Sequence, residues 1–378
     1  MYELIATATF GLEAVVRREI EGLGYEIIKT EDGKVTFAGD ERAIVRSNLW
    51  LRSADRVLLK ACEFEALTFE DLFQGIKAYP WEDLIPADGK FTVTCTTVKS
   101  KLHNPPAIQS VSKKAAVERM SAAYGLEHFS ETGAEYTIKV TMLKDRATVT
   151  VDTSGTGLHK RGYRALSVDA PMKETLAAAL VQLSFFRPGR VLVDPCCGSG
   201  TIPIEAAMIA ANIAPGLSRT FACEEWDIIP KEVWKQERAE AFAAIERPED
   251  PSARIFASDI DSKAIAAAKE NAAEAGVDEL IRFNRADVKD LDKLVADASR
   301  GIIVTNPPYG ERIGEQEEID KVFKALRSFC GSHPDWSLFV ITPDKDAEKK
   351  IMGRRADRRR KLYNGNIETT YYQFHGEK

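Results

Sequence analysis

One stretch decides the fold: Val191-Leu192-Val193-Asp194-Pro195-Cys196-Cys197-Gly198-Ser199-Gly200-Thr201. Its apolar start predicts a short buried strand, and Gly198 and Gly200 let the following loop approach a ligand closely before a helix begins. The dinucleotide fingerprint G-x-G-x-x-G is not met, because Pro203 stands where its third glycine would be. An acid at the strand end, Asp194, suits a ligand that is cationic at this point and does not suit a pyrophosphate.

Two further strands of the chain also end in acids. Asp259 follows Ile255-Phe256-Ala257-Ser258, at the position where such folds bind a ribose diol, and Asp261 is predicted to cap the next helix. Asp287 follows a third strand, where it can accept a hydrogen bond from an adenine amine. The ordered set predicts S-adenosylmethionine as the cofactor. The residues predicted to contact it are Asp194, Cys196, Gly198, Ser199, Gly200, Thr201, Asp259, Ile260, Ala286, Asp287 and Asn306.

A reaction centre is predicted at Thr305-Asn306-Pro307-Pro308-Tyr309-Gly310, after a fourth strand. Two prolines after a strand force a rigid, extended turn. Such a turn can present the Asn306 side-chain oxygen and the Pro307 carbonyl to the two N–H bonds of one exocyclic amine, and Tyr309 can stack on the base. We therefore predict Asn306, Pro307, Pro308 and Tyr309 as catalytic residues. The chemistry requires neither a general base nor a metal.

The 378 residues suit two or three domains. Beyond Ser154-Gly155-Thr156-Gly157, helical stretches alternate with short apolar strands, which predicts an α/β domain with a mainly parallel, doubly wound sheet. Before that point the pattern predicts two α+β units. We expect the units at residues 1–60 and 44–155, which overlap, and the α/β domain at residues 160–378.

Composition limits the function classes. The net charge of −6 argues against indiscriminate coating of DNA, although a basic run lies between Arg354 and Lys361. No apolar stretch reaches the ~20 residues needed to span a membrane, and the N-terminus lacks the pattern of a signal peptide. Six scattered cysteines without a Cys-x-x-Cys pair fit a reduced cytoplasm and no structural zinc. The expected location is cytoplasmic, and the sequence leaves the oligomeric state open.

The motifs resemble those of class I methyltransferases with an (Asn/Asp)-Pro-Pro-(Tyr/Phe) centre. The resemblance extends to the bacterial RlmL family of 23S rRNA guanine-N2 methyltransferases. It is carried by Ala6-Thr7-Ala8-Thr9-Phe10-Gly11-Leu12-Glu13, by Lys99-Ser100-Lys101-Leu102-His103, by His159-Lys160-Arg161-Gly162-Tyr163-Arg164 and by Ala170-Pro171-Met172-Lys173-Glu174. In that family Cys-Pro often stands where this chain has Thr9-Phe10. The second methyltransferase domain of some relatives is not matched.

The resemblance implies a Rossmann-like class I methyltransferase domain preceded by a ferredoxin-like unit and a THUMP domain, which is an RNA-binding module. It implies RNA as the partner and N2 of a guanine in 23S rRNA as the target. It also implies phosphate contacts, which position a substrate without specifying its sequence. The residues expected to make them are Lys113, Lys114, Arg161, Arg358 and Arg359.

Four alternatives stay open at the level of sequence. The Asn-Pro-Pro-Tyr motif serves N2 of guanine, N6 of adenine in DNA and N5 of a protein glutamine equally well. The THUMP-like segment favours RNA, but tRNA remains an alternative to rRNA. A ribosome-assembly factor without catalysis is least favoured, because the cofactor and reaction-centre motifs are intact. Nucleoside analysis of the methylated product distinguishes the nucleic-acid alternatives.

Overall fold

The computed structural model describes residues 1–164, 172–246, 254–296, 298, 300–309 and 315–377. Ala170, Pro171 and Gly310, which belong to the motifs of the sequence analysis, lie outside these ranges. The chain forms two compact units. The first comprises Met1–Thr7, Arg17–Leu158 and Thr220–Glu240, and the second comprises Ala8–Val16, His159–Arg219 and Ala241–Lys378.

The chain from Tyr2 to Asp152 contains seven strands and four helices. In order they are β1 (Tyr2–Ala8), α1 (Glu13–Gly22), β2 (Ile27–Glu31), β3 (Lys34–Gly39), α2 (Glu41–Trp50), β4 (Ala54–Glu65), α3 (Phe69–Lys77), β5 (Lys90–Val98), α4 (Pro105–Tyr124), β6 (Glu135–Leu143) and β7 (Arg146–Asp152). The strands form one sheet in the order β2-β3-β1-β4-β7-β6-β5. The two predicted α+β units therefore share a continuous sheet, which the sequence pattern did not predict.

Residues 220–240 belong to the first unit although they lie far along the chain. The Trp226 ring stacks on Tyr136 at 4.7 Å between centroids, and its Nε1 donates to the carbonyl of Glu135 over 3.1 Å. Trp226 is fully buried. Burial of a large aromatic ring contributes strongly to packing, so this contact explains the position of the segment.

The second unit contains the predicted α/β domain. Its elements are α5 (Glu174–Leu183), β8 (Leu192–Asp194), α6 (Thr201–Ala210), α7 (Lys231–Ala243, shared with the first unit), β9 (Ile255–Asp259), α8 (Ser262–Glu274), β10 (Ile281–Arg285), α9 (Leu291–Leu294), β11 (Ile302–Thr305), α10 (Glu315–Ser332), β12 (Ser337–Thr342), α11 (Ala347–Met352), β13 (Arg358–Asn364) and β14 (Ile367–Phe374). The strand order is β10-β9-β8-β11-β12-β14-β13.

Strands β10, β9, β8, β11 and β12 are parallel to one another, whereas β14 pairs in the antiparallel sense with both β12 and β13. The predicted mainly parallel sheet is thus confirmed. Successive side chains of a strand point to opposite faces. Leu192 and Val193 accordingly belong to two different hydrophobic clusters, as do Ile302 and Ile303. Both faces of the sheet are buried, so its polar residues concentrate at the strand ends.

The register brings the predicted acids to one edge of this sheet. Asp194 pairs with Ala257 two residues before Asp259, and Asp259 pairs with Arg285 two residues before Asp287. All three strands run in the same direction, so their carboxyl ends meet at that edge. Within the described residues, no helix has the length and apolar character needed to cross a membrane.

Candidate active site

The carboxyl ends of β8, β9, β10 and β11 open onto one cavity of about 550 Å³. Ten of the eleven residues predicted to contact the cofactor line it: Asp194, Cys196, Gly198, Ser199, Thr201, Asp259, Ile260, Ala286, Asp287 and Asn306. The eleventh, Gly200, caps α6 in the left-handed region at φ +86°. A Cβ atom there would lie 3.0 Å from that of Ala268, so the position also needs glycine for close packing of α8.

The glycine loop is tied to the next strand and helix by its own backbone. The Gly198 N–H donates to Asp259 Oδ2 over 3.0 Å, and the Cys197 N–H donates to the carbonyl of Ser258 over 3.0 Å. Asn271 Nδ2, on α8, donates to the carbonyl of Ser199 over 3.1 Å. Three hydrogen bonds, two to β9 and one from α8, therefore hold the loop in one shape before a ligand binds.

Asp194 is a buried acid at the floor of the cavity. Thr305 Oγ1 donates to its Oδ1 over 2.9 Å, and the Cys196 N–H donates to the same oxygen over 3.2 Å. Burial raises the pKa of this carboxyl to about 7, against those two hydrogen bonds. No lysine or arginine of the described residues pairs with it. A cationic group of a ligand would supply the missing counter-charge, which fits the amino group and sulfonium of S-adenosylmethionine.

The other two acids differ in what already occupies their oxygens. Asp259 accepts from the Gly198 N–H and, through Oδ1, from the Asp261 N–H at 3.0 Å. Asp261 accepts from the Lys263 N–H over 2.8 Å and caps α8, as predicted. Asp287 accepts from the Lys289 N–H over 3.1 Å and forms an ion pair with Lys289 Nζ at 3.3 Å. Both Asp259 and Asp287 still line the cavity.

The predicted reaction centre directly follows the carboxyl end of β11. Asn306 and Pro308 line the cavity, and Pro307 is buried. The side-chain oxygen Oδ1 of Asn306 is buried and has no hydrogen-bond partner among the described residues. Tyr309 does not line the cavity, and its hydroxyl accepts a hydrogen bond from Asn364 Nδ2 over 2.8 Å. Burial raises the pKa of Tyr309 to about 12, so the hydroxyl is neutral near pH 7.

Sequence reasoning missed part of the cavity wall. Glu318, Lys321 and Val322 line it from α10, with the i, i+3, i+4 spacing of one helix face. No feature of the sequence of this helix pointed to the cavity. The other missed lining residues are Met172, Pro195, Cys197, Ile202 and Val288. Burial raises the pKa of the Cys196 and Cys197 thiols well above the ordinary value, so both stay protonated and unreactive.

The residues predicted to contact phosphate fall into two groups. Lys113 and Lys114 are exposed on α4, where they form long ion pairs with Glu131 at 3.7 Å and Glu118 at 3.8 Å. Lys113 Nζ also lies 5.5 Å from the centre of an aromatic ring, that of Phe91. Exposed pairs of this kind contribute little energy, so they leave both lysines available to a phosphate.

Strand β13 carries the second part of the basic run, with Arg358 and Arg359 exposed and Arg359 Nε paired with Glu348 at 3.0 Å. The prediction for Arg161 is wrong. Its side chain is 2% exposed and pairs with the buried Glu205 at 3.3 Å. Tyr163 Oη donates to the same Glu205 carboxylate over 3.1 Å. A guanidinium buried in this way cannot reach a phosphate from solvent, and removing it would leave Glu205 uncompensated.

The sheet order, the glycine loop and the acids at three strand ends define a class I S-adenosylmethionine-dependent methyltransferase. Within that class, the chain belongs to the family of RMKL-like methyltransferases. A family model described as "RMKL-like, methyltransferase domain" matches residues 161–373. Two others, "RlmL ferredoxin-like domain" and "THUMP domain", match residues 3–58 and 66–152. The predicted resemblance is confirmed; the exact boundaries 1–60, 44–155 and 160–378 stay predictions.

Similar proteins cover the whole chain. A Bacillus subtilis protein named "Putative RNA methyltransferase YpsC" is 48% identical over 99% of this chain and 96% of its own length. The crystal structure of a "predicted N6-adenine-specific DNA methylase" from Listeria monocytogenes is 46% identical, with a TM-score of 0.93 over 100% of this chain and 96% of that one. The structure of SMU.472, "a putative methyltransferase complexed with SAH", is 41% identical, with a TM-score of 0.93 over 100% and 98%. S-adenosylmethionine is the cofactor of this family and of this protein.

Proposed function

We propose that this protein methylates N2 of a guanine in RNA, with 23S rRNA as its substrate. The observation that carries the proposal is the Oδ1 atom of Asn306, a residue that lines the cofactor cavity: this atom is buried and has no hydrogen-bond partner among the described residues. A buried acceptor without a donor is costly, so such an atom favours a ligand that supplies an N–H. An exocyclic base amine supplies two.

RNA as the substrate is supported by two observations. The THUMP match covers residues 66–152, and the Bacillus subtilis relative carries the name of an RNA methyltransferase. The choice of guanine as the base and of 23S rRNA as the substrate is supported by the match of residues 3–58 to the ferredoxin-like domain of RlmL and by the resemblance to that family. The name of the Listeria protein instead suggests N6 of adenine in DNA, and the experiment below distinguishes the two.

Asp194, Asp259 and Asp287 would hold the cofactor through its cationic end, its ribose and its adenine, respectively. When bound, S-adenosylmethionine supplies the electrophilic methyl group. Asn306 Oδ1 and the Pro307 carbonyl each accept one N–H of the amine, which directs the nitrogen lone pair out of conjugation with the ring. The Tyr309 ring packs on the base and fixes its plane. The nitrogen loses its proton to water after transfer, so no side chain needs to act as a base.

The exposed cations of the two units are proposed as phosphate contacts. Lys113 and Lys114 on α4 and Arg358 and Arg359 on β13 carry charge into solvent. Such contacts attract and orient RNA but do not distinguish one sequence from another. The choice of nucleotide therefore depends on the cavity and on the shape of the RNA around the target.

The decisive experiment measures labelled-methyl transfer from S-adenosylmethionine to 23S rRNA, tRNA and genomic DNA, each from cells that lack the protein. The products are digested to nucleosides and analysed by mass spectrometry. We expect N2-methylguanosine from 23S rRNA and none from tRNA or DNA. N2-methylguanosine from tRNA alone would replace the proposed substrate, and N6-methyldeoxyadenosine would refute both the base and the nucleic acid.

A further inference from the structure

One side chain outside the cavity contacts the reaction centre. Asn364 is the last residue of β13, and its Nδ2 donates to the Tyr309 hydroxyl over 2.8 Å. Both side chains are partly buried. The two residues are separated by 55 positions in the chain, so the contact depends on the fold. Nothing in the chemistry of methyl transfer accounts for an amide at this position.

The backbone around Asn364 is held firmly. Asn364 pairs with Ile367 across a tight turn in which Gly365 adopts φ +61°. Strand β14 in turn pairs with β12 along five residues, which joins the hairpin to the parallel sheet. Leu362, two residues before Asn364, is fully buried, and its carbonyl accepts from Thr369 Oγ1 over 3.2 Å. The amide of Asn364 is therefore presented from a rigid element rather than from a flexible loop.

We propose that Asn364 is a positioning residue that sets the orientation of the Tyr309 ring for stacking on the target base. This inference rests on the proposed role of Tyr309. An aromatic ring that packs on a base must lie parallel to it, and a tyrosine on a turn is otherwise free to rotate about its side-chain bonds. A hydrogen bond to the hydroxyl restricts that rotation most effectively, because the hydroxyl is the side-chain atom farthest from the backbone.

The contact orients the ring and does not serve proton transfer. The Tyr309 hydroxyl stays protonated near pH 7 because burial raises its pKa to about 12. An asparagine amide does not ionise in this pH range. Loss of the donor should therefore lower the rate of methyl transfer without changing its pH dependence or the affinity for the cofactor, which contacts other residues.

A double-mutant cycle on methyl transfer tests the coupling. Asn364→Leu, which is close to isosteric but cannot donate, should lower kcat about fivefold to tenfold, as expected for one neutral hydrogen bond. Asn364→Asp should recover most of that loss, because its carboxylate can accept from the Tyr309 hydroxyl. In a Tyr309→Phe background, Asn364→Leu should change kcat by less than about twofold. Equal losses in both backgrounds would overturn the inference.

Asn366→Ala is the matched control, because this second asparagine lies in the same turn and is exposed, whereas the hydrogen bond to the Tyr309 hydroxyl comes from Asn364. It should leave kcat unchanged. Calorimetric affinity for S-adenosylmethionine should stay within about twofold of the original value in every variant. A loss of affinity in Asn364→Leu would instead indicate general damage to the domain.

A second measurement needs no RNA. Labelling the ten tyrosines with carbon-13 at Cζ gives NMR signals that respond to hydrogen bonding at each hydroxyl. The signal lost in Tyr309→Phe should be the one that shifts in Asn364→Leu, and it should not move in Asn366→Ala. Failure of this shift refutes the contact. If the shift occurs but no RNA is methylated, the proposed function fails while the contact stands.

Discussion

The two halves of the cavity differ in how complete they are before a ligand arrives. On the cofactor side, the loop at Gly198 is bonded to Asp259 and Ser258, and Asp259 accepts two backbone hydrogen bonds. On the reaction side, Asn306 Oδ1 is buried with no partner among the described residues. The cofactor side is held by hydrogen bonds within the protein, whereas on the reaction side no donor for Asn306 Oδ1 is found among the described residues.

This difference suggests how binding energy is divided. A preassembled site loses little entropy when its ligand binds, which favours affinity. An unpaired acceptor beside the reacting atom is satisfied only when the correct amine is in place, which favours rate and selectivity. Substitutions on the reaction side should therefore change mainly kcat, and substitutions on the cofactor side should change mainly the Kd of the cofactor.

The largest effect is expected at Asn306. Asn306→Ala should lower kcat by about 10²-fold or more, because it removes an acceptor that acts mainly in the transition state. The Kd for S-adenosylmethionine should change little. Single-turnover methyl transfer and calorimetry give the two quantities. Asn306→Asp retains an acceptor oxygen and should lose less activity than the alanine variant, while near-normal turnover in Asn306→Ala would refute the mechanism.

A loss of about 10-fold to 100-fold in cofactor affinity is expected for Asp259→Ala, as for removal of charged hydrogen bonds to a ligand and to Gly198. Calorimetry measures it directly. Asp261→Ala is the neighbouring control, since it removes only the cap of α8 and should cost about 1 kcal/mol of stability. If Asp259→Ala bound the cofactor as tightly as the unmodified protein, the ribose assignment would be wrong.

Asp194 should make cofactor binding depend on pH. Its pKa is raised from the ordinary 3.8 to about 7 in the free protein, and a bound cation favours the ionised form. Binding should therefore release a proton below pH 7, and affinity should weaken by up to about tenfold for each unit that the pH falls. Calorimetry in buffers of different ionisation enthalpy measures the released proton, and Asp194→Asn should abolish it.

The same raised pKa of Asp194 determines whether the stability of the free protein rises or falls with pH. The raised value means that the folded state binds the Asp194 proton more tightly than the unfolded state does. This contribution to stability is complete below about pH 3.8 and is lost as the pH rises through about 7. Between about pH 5 and 7, thermal stability should fall with rising pH in the free protein and change little at saturating cofactor, because a bound cation keeps Asp194 ionised over this range. Parallel trends would contradict a cationic ligand at Asp194.

Much of the cofactor side was predictable because its signals are local. Asp194, Asp259 and Asp287 each follow an apolar strand, and the parallel topology brings such ends together without further information. The contacts that sequence reasoning missed join residues far apart in the chain. Arg161 and Glu205 are 44 positions apart, and their burial as a pair could not be inferred from either residue. Lys321 faces the cavity only because of the way in which α10 packs.

In the first unit, too, the contacts between residues far apart in the chain could not be predicted. Its α+β character was predicted from the sequence pattern. The continuous sheet and the packing of Trp226 on Tyr136 were not, because contacts between distant residues, such as the hydrogen bond across 91 positions from Trp226 to Glu135, have no local signature. The N-terminal Lys113 and Lys114 were found by resemblance, so their role depends on experiment more than that of the acids does.

The smallest effect is expected for the lysines of α4, whose substitution should weaken RNA binding without changing catalysis. Lys113→Ala with Lys114→Ala should weaken RNA binding several-fold and reduce the slope of log K against log salt by about 1.4 to 1.8, as expected for two phosphate contacts. Lys263→Ala with Lys269→Ala removes the same charge from exposed positions of α8 and should leave the slope unchanged. Filter binding between 50 and 200 mM salt, a range in which phosphate contacts dominate, measures both. Because cofactor binding and kcat at saturating RNA should be unaffected, an equal slope in the two variants would show that α4 does not contact the backbone of the substrate.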